Sequence, residues 1–264
     1  MSKPIITLLT DFGTADHYVA SLKGVMLTIN PQSTLIDITH QVNPQGVKAG
    51  AFILASACPF FPKGTIHLAV VDPGVGGSRK AILLVTRDHF FLGPDNGLLT
   101  LAAPRGQVRR AVALTNEKFF LPRVSATFHG RDLFAPVAAY LSLGVNPKVF
   151  GNELDSWVEM VFGTPRIGEE ELIGEILHVD SFGNIISSIT ERQFLDFTKG
   201  HSFVIKIGKR VIHGLKKGYW AGKKEEVMAL FGSGGFLEIS VREGNAQKIL
   251  KAKRGDLIKV IAIS

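Results

Sequence analysis

Short apolar runs alternate with stretches of helical periodicity through the first 150 residues. Residues 5–9 are dominated by Ile and Leu and predict a buried strand. Over 15–29, Val19, Leu22, Val25, Met26 and Ile29 recur at three- and four-residue spacing, which predicts a helix that Asn30-Pro31 stops. The same logic predicts strands at 34–38, 65–71 and 81–85, a helix at 46–57 ended by Pro59, and a late helix at 132–143. Strand–helix–strand alternation points to a parallel or mixed sheet. At 163–171 the pattern breaks into Gly, Pro and a run of Glu, expected as a linker. Beyond it lie short β-like runs at 172–179, 185–189, 203–207, 227–231, 236–241 and 257–263, most of them separated by glycine-containing turns. The expected fold class is α/β. An N-terminal α/β sheet domain spans 1–162, the linker 163–171, and a small C-terminal β-barrel domain 172–264.

Composition narrows the setting. Of 264 residues 45% are hydrophobic, enough for two modest cores. Cys58 is the only cysteine and sits in an apolar run, as a core residue of a reducing compartment would. Residues 1–11 do not read as a secretory signal, and no segment approaches the ~20 apolar residues of a membrane span. A cytoplasmic protein with no membrane partner is expected. The net charge is +7, but the basic pairs Arg109-Arg110, Lys216-Lys217 and Lys223-Lys224 are scattered and not interleaved with aromatics. That reads as a solvated basic surface, with nucleic acid not expected as a partner.

Ligands of open α/β sheets bind beyond the carboxyl ends of strands. Three such places hold polar clusters: Thr10-Asp-Phe-Gly-Thr-Ala-Asp, Asp72-Pro-Gly-Val-Gly-Gly-Ser-Arg and Thr127-Phe-His-Gly-Arg-Asp. Taken singly, Asp11 reads equally as a helix cap, Asp72-Pro73-Gly74 as a turn and His129 as a loop histidine. Their joint occurrence is what points to chemistry. The Gly74–Lys80 stretch has neither GxxxxGK[ST] nor GxGxxG spacing, and no GxSxG elbow is present. His17, His67, Asp72, His129 and Asp132 show no HxxxH or HExxH spacing, so no metal is expected.

Those clusters, together with Pro94-Asp-Asn-Gly-Leu-Leu-Thr and Asp180-Ser-Phe-Gly-Asn, resemble the signatures of the S-adenosylmethionine hydroxide adenosyltransferases, relatives of the fluorinase and chlorinase enzymes. The similarity runs over nearly the whole chain. It implies an α/β domain followed by a β-barrel domain, and a homotrimer with sites between subunits. It also implies hydrolysis of S-adenosyl-L-methionine to adenosine and L-methionine, without cofactor. By motif position it implies Asp72, Arg79 and His129 as catalytic residues and Asp11 as the ribose-binding acid. Asp180 and Asn184 would hold the methionine part. Phe182, Tyr219 and Trp220 would wall the adenosine pocket, Ser233 would meet the carboxylate end, and Phe128 and Ala246 complete the substrate-binding set. Gly234 stands where the halogenase pattern has Arg, and Gly130 where the fluorinase has Ser.

The sulfonium is already a leaving group, so the difficulty lies in the water. Bulk water has a pKa of about 15.7 and must be held in line behind C5′. Asp72 and His129 are expected to accept hydrogen bonds from it, with Arg79 keeping Asp72 ionised. A carboxylate at Asp72 would repel a halide in a dry site. Three alternatives remain: a nucleophilic halogenase on the same substrate, a non-catalytic adenosine- or S-adenosylmethionine-binding module, and a basic RNA-associated protein suggested by charge alone.

Overall fold

A computed structural model of the chain describes residues 3–263. It divides into two compact units, one ending at Met160 and the other beginning at Val161.

The first unit contains β1 (Ile5–Thr10), α1 (Tyr18–Ile29), β2 (Thr34–Thr39), α2 (Val47–Ala57), β3 (Ile66–Val70), β4 (Ala81–Val85), β5 (Phe90–Pro94), β6 (Arg110–Leu114), α3 (Ala135–Ser142) and β7 (Gly151–Glu153). Its seven strands are ordered β2-β1-β3-β5-β4-β6-β7. β2, β1, β3 and β5 run parallel, and the β4, β6 and β7 pairings are antiparallel. β1 is buried on both faces, which is why it is apolar almost throughout. Ile6 and Leu8 pack with Leu22 and Met26 of α1 and Val137 of α3. Leu9 faces the other way, toward Gly50 of α2. The chain leaves β1 for β2 on one side and returns to β3 on the other. Strand order therefore reverses at β1–β3, and ligands of open α/β sheets bind beyond the carboxyl ends of strands at such a switch point.

Two local expectations are corrected here. The first helix starts at Tyr18, because residues 11–17 form an irregular turn instead. The late helix opens as a π-turn over Gly130–Phe134, in which Ala135 N–H reaches back to Gly130 O, before α3 takes up regular winding. β5 and β6 were not foreseen. Both are five-residue strands, and β5 follows β4 through a tight polar turn in which Thr86 N–H donates to His89 O at 3.0 Å.

The second unit contains β8 (Arg166–Ile167), β9 (Glu171–Val179), β10 (Ile185–Thr190), α4 (Glu191–Thr198), β11 (Phe203–Ile207), β12 (Arg210–His213), β13 (Val227–Phe231), β14 (Phe236–Val241), α5 (Ala246–Leu250) and β15 (Leu257–Ala262). The order β12-β11-β15-β9-β10-β14-β13 is antiparallel throughout. Its end strands β12 and β13 return beside one another, so the sheet is a nearly closed barrel. Leu172, Ile176, Ile185, Ile239 and Val260 fill it. The stretch expected as a linker is built into this unit. β8 pairs antiparallel with β9, and Gly163 N–H donates to Glu175 Oε1 at 3.0 Å. A Gly/Pro/Glu-rich composition marks turns and edge strands as readily as linkers.

Candidate active site

β1 and β3 pair in register up to Thr10 and Val70, so the residues that follow them emerge side by side. After β1, Thr10 Oγ1 takes the Phe12 N–H at 3.2 Å and pairs with His40 Nδ1 at 2.8 Å. Gly13 N–H donates to His40 O at 2.8 Å, which ties this turn to the end of β2. Asp11 Oδ2 accepts the Gln45 N–H at 2.9 Å. Asp11 does not cap α1, whose first residue lies seven positions on and whose N-cap, His17, makes no side-chain capping bond.

After β3, the chain turns through Asp72-Pro73-Gly74, with Val75 N–H donating to Asp72 O at 3.2 Å. Arg79 folds back over the turn. Its Nε and Nη2 both donate to Asp72 Oδ2, at 2.9 and 2.6 Å. The same Nη2 meets His129 Nδ1 at 2.7 Å. The guanidinium lies 5.7 Å over the Phe134 ring. The Asp72 and Arg79 side chains are only 4% and 11% exposed. The three residues singled out from two separate motifs thus form one hydrogen-bonded set. Asp72 Oδ1 is buried and has no hydrogen-bond partner among the described residues. A buried carboxylate oxygen left this way is costly unless something else donates to it.

The tautomer of His129 follows from its partner. A guanidinium has donors only, so Nδ1 accepts and the ring proton of the neutral imidazole sits on Nε2. Burial and the Arg79 charge lower the His129 pKa against the opposing pull of Asp72 and Asp132, which keeps the ring neutral. With Nδ1 engaged by Arg79, the free nitrogen of the neutral ring is a donor, which differs from the acceptor role expected for His129.

Backbone contacts hold the two loops against each other. Gly76 has φ +75°, and a Cβ there would drive into the Ala126 carbonyl of the loop before His129. Within that second loop, wholly buried Asp132 accepts Ser125 N–H at 2.8 Å and Arg131 Nε–H at 2.6 Å. Phe128 is nearly buried; it meets Phe12 edge-on at 5.7 Å and Tyr18 at 5.2 Å, with Arg131 5.0 Å over its ring. Asn96 donates to Val71 O at 2.9 Å, fixing the backbone next to Asp72. That bond gives the Pro94-Asp-Asn-Gly motif a positional role, which its residue types alone did not reveal.

The candidate residues of the second unit fall around the β9–β10 turn and the loops flanking β13. Asp180 Oδ1 accepts the N–H groups of Phe182 (2.9 Å) and Asn184 (2.8 Å), and Oδ2 accepts Asn184 Nδ2–H at 2.9 Å. This self-contained turn leaves the Phe182 ring 76% exposed. Trp220 is 73% exposed, and Ser233 is exposed at the turn between β13 and β14. Ala246 is different: it is wholly buried in the barrel core as the first residue of α5. Its methyl group is packing, so it offers a ligand only its backbone. Tyr219 donates its hydroxyl to Glu238 Oε1 at 2.6 Å. Burial of the hydroxyl, then the Glu238 carboxylate, raise the phenol pKa, and Asp180 adds to this. Glu238 was not picked out from the sequence, although a lone acid within the apolar strand Phe236–Val241 was the available signal.

Cys58 is buried, and burial pushes its thiol up to about 11, so it behaves as a core residue. No group of three or more His, Cys, Asp or Glu side chains suited to a metal occurs among the described residues, and none of their helices is long and apolar enough to cross a membrane.

Residues 6–151 match the SAM hydroxide adenosyltransferase N-terminal domain, and residues 174–259 its C-terminal domain. The chain is 36% identical to the (R)-S-adenosyl-L-methionine hydrolase of Methanocaldococcus jannaschii, over 97% of this chain and 95% of that protein. A fluorinase from an Actinoplanes species is more distant, at 27% over 70% of this chain and 72% of that protein. A solved structure of a conserved protein from Thermotoga maritima superposes with a TM-score of 0.91 at 38% identity, covering 97% of this chain and 99% of that one. The strand-end motifs, the two-unit architecture and these full-length similarities agree: the chain belongs to the SAM hydroxide adenosyltransferase family.

Proposed function

We propose that the chain hydrolyses S-adenosyl-L-methionine to adenosine and L-methionine by in-line attack of water on C5′. The observation that carries this is Asp72 Oδ1, a buried carboxylate oxygen without a partner among the described residues, on a residue whose other oxygen is locked by Arg79. One water O–H donates to Asp72 Oδ1, and the His129 Nε2–H is the complementary donor. A lone pair then forms the C5′–O bond as the C5′–S bond breaks. The electron pair passes to sulfur, giving neutral methionine thioether, and the proton leaves by way of Asp72 to solvent. Arg79 locks Asp72 Oδ2 in place and, after burial, helps to keep His129 neutral. Most of the rate would come from positioning rather than from base strength.

Asp11 is assigned to the ribose hydroxyls and Phe128 to the adjoining wall. Phe182, Tyr219 and Trp220 are assigned to the adenosine part, and Asp180, Asn184, Ser233 and the Ala246 backbone to methionine. The reaction needs no cofactor or metal, because the sulfonium leaves unaided. We also assign the chain to the cytoplasm and to a homotrimer in which neighbouring chains complete each site, a state that light scattering measures. A carboxylate at Asp72 disfavours a halide nucleophile, in keeping with the greater similarity to the hydrolase than to the fluorinase.

The test is chromatography of purified protein with S-adenosylmethionine in chloride-free buffer containing a chelator. Adenosine and methionine in equal amounts, lost in Asp72→Ala, are expected. A 5′-halo-adenosine on adding chloride or fluoride would move the chain to the halogenases. Adenosine binding without turnover would make it a binding module. Loss of turnover in chelator would overturn metal independence.

A further inference from the structure

Glu238 lies on β14 among apolar neighbours and is 6% exposed. It has no ion-pair partner among the described residues. Its Oε1 accepts two hydroxyls, Tyr219 at 2.6 Å and Ser240 at 2.7 Å. Its Oε2 lies against the backbone of Gly232: a Cβ built there would run into it. One buried carboxylate therefore meets two loops, the turn carrying Tyr219-Trp220 and the β13–β14 turn carrying Ser233. The Tyr219 turn has a second tether, at its backbone, where Arg242 Nη1 donates to Gly222 O at 2.9 Å. The phenol–carboxylate bond is the hydrogen bond that holds the ring itself, whose surface is 48% exposed.

We propose that Glu238 is a positioning residue that locks Tyr219 and so pre-sets the aromatic wall that receives the adenosine part of the substrate. This rests on the hydrolase reading through the place of Tyr219 in the pocket. An exposed ring without its anchor samples several rotamers, and the ligand must then pay to order it. The effect falls on binding, because neither Glu238 nor the phenol is assigned to the reacting atoms.

The experiment uses the full-length chain, with adenosine as the calorimetric probe and S-adenosylmethionine as the turnover substrate. Tyr219→Phe and Glu238→Ala are expected to weaken adenosine binding and raise KM about tenfold, with kcat within about twofold of the native value. Glu238→Gln keeps an acceptor for the phenol and should bind as the native chain does. The Tyr219→Phe/Glu238→Ala double variant should be no worse than Glu238→Ala, since both remove one interaction. If Glu238→Ala fails to fold, Tyr219→Phe and Glu238→Gln carry the test. Tyr219→Phe binding adenosine as tightly as the native chain overturns the proposal alone. So does a fall in kcat as large as the rise in KM. A native chain that neither binds adenosine nor consumes S-adenosylmethionine overturns the hydrolase reading and this proposal together.

Discussion

The two oxygens of Asp72 do different work. Oδ2 takes both Arg79 donors, and Oδ1 has no hydrogen-bond partner among the described residues. Asp72→Asn keeps the shape but removes the charge and half the acceptor capacity. It should lower kcat about a hundredfold or more while adenosine affinity shifts less than about threefold, measured by steady-state kinetics and calorimetry. Equal losses in both would make Asp72 a binding residue. His129 yields a second outcome. Its folded pKa is lowered, by burial first and then by Arg79. The neutral ring therefore persists to lower pH than in an ordinary histidine. kcat/KM should fall on acidification at a pH lower than the value of about 6.5 at which an ordinary histidine would cause it. A rise in activity with acid would contradict a neutral His129. Asp72 and His129 were legible as candidates because each stands in a polar cluster at a strand or helix end. The direction of their hydrogen bonds was not, because it depends on Arg79, which is 50 residues from His129 in sequence.

Between residues and domains, the site depends on how loops dock. The loop after β3 lies on the loop before the π-turn at Gly76, where both the positive φ and the Ala126 carbonyl exclude a side chain. Gly76→Ala should cost about 1–3 kcal/mol in urea unfolding and lower turnover as well, by prising Arg79 from His129. Gly74, whose Cβ would make only ordinary contact with Arg79 at 3.4 Å, should accept Ala with a smaller loss of stability. In the barrel, Thr190 and Gln193 close a capping box at the start of α4. Thr190→Ala should lower stability by about 1 kcal/mol without touching kcat. The strands β1, β2 and β3 and the helix α2 were readable from periodicity. The π-turn was not: it interrupts a helical pattern without changing residue types, and the interior of the fold selects it.

Each unit also holds a neutral histidine, wholly buried in the first and half-buried in the second. His67 on β3 is wholly buried against Thr7 Oγ1 at 2.7 Å, and burial lowers its pKa to about 3. Burial likewise lowers His178 on β9 to about 4. In the unfolded chain both return to the ordinary value near 6.5. Between that value and the folded one, the unfolded state binds more protons, so stability falls as pH drops. Unfolding free energies from urea titrations should decline from pH 6.5 toward 4, by at most about 1.4 kcal/mol per pH unit for each histidine. His67→Gln should flatten that slope whatever it does to the midpoint at pH 7. An unchanged slope would mean that His67 titrates normally in the fold.

Local pattern was enough for the α/β character of the first half, the β-rich second half and the five motifs that carry the family resemblance. Each of these depends on neighbours in sequence: apolar periodicity, turn formers, and polar residues at the ends of runs. Tertiary structure alone decided the rest. It placed β1 between β2 and β3, so that Asp11 and Asp72 emerge side by side. It drew residues 163–171 into the barrel sheet, buried Ala246 in the core, and set Glu238 beneath Tyr219. The reason is that strand pairing, burial and hydrogen-bond direction are settled by whichever distant groups fill the remaining space, and spacing along a chain carries no record of them.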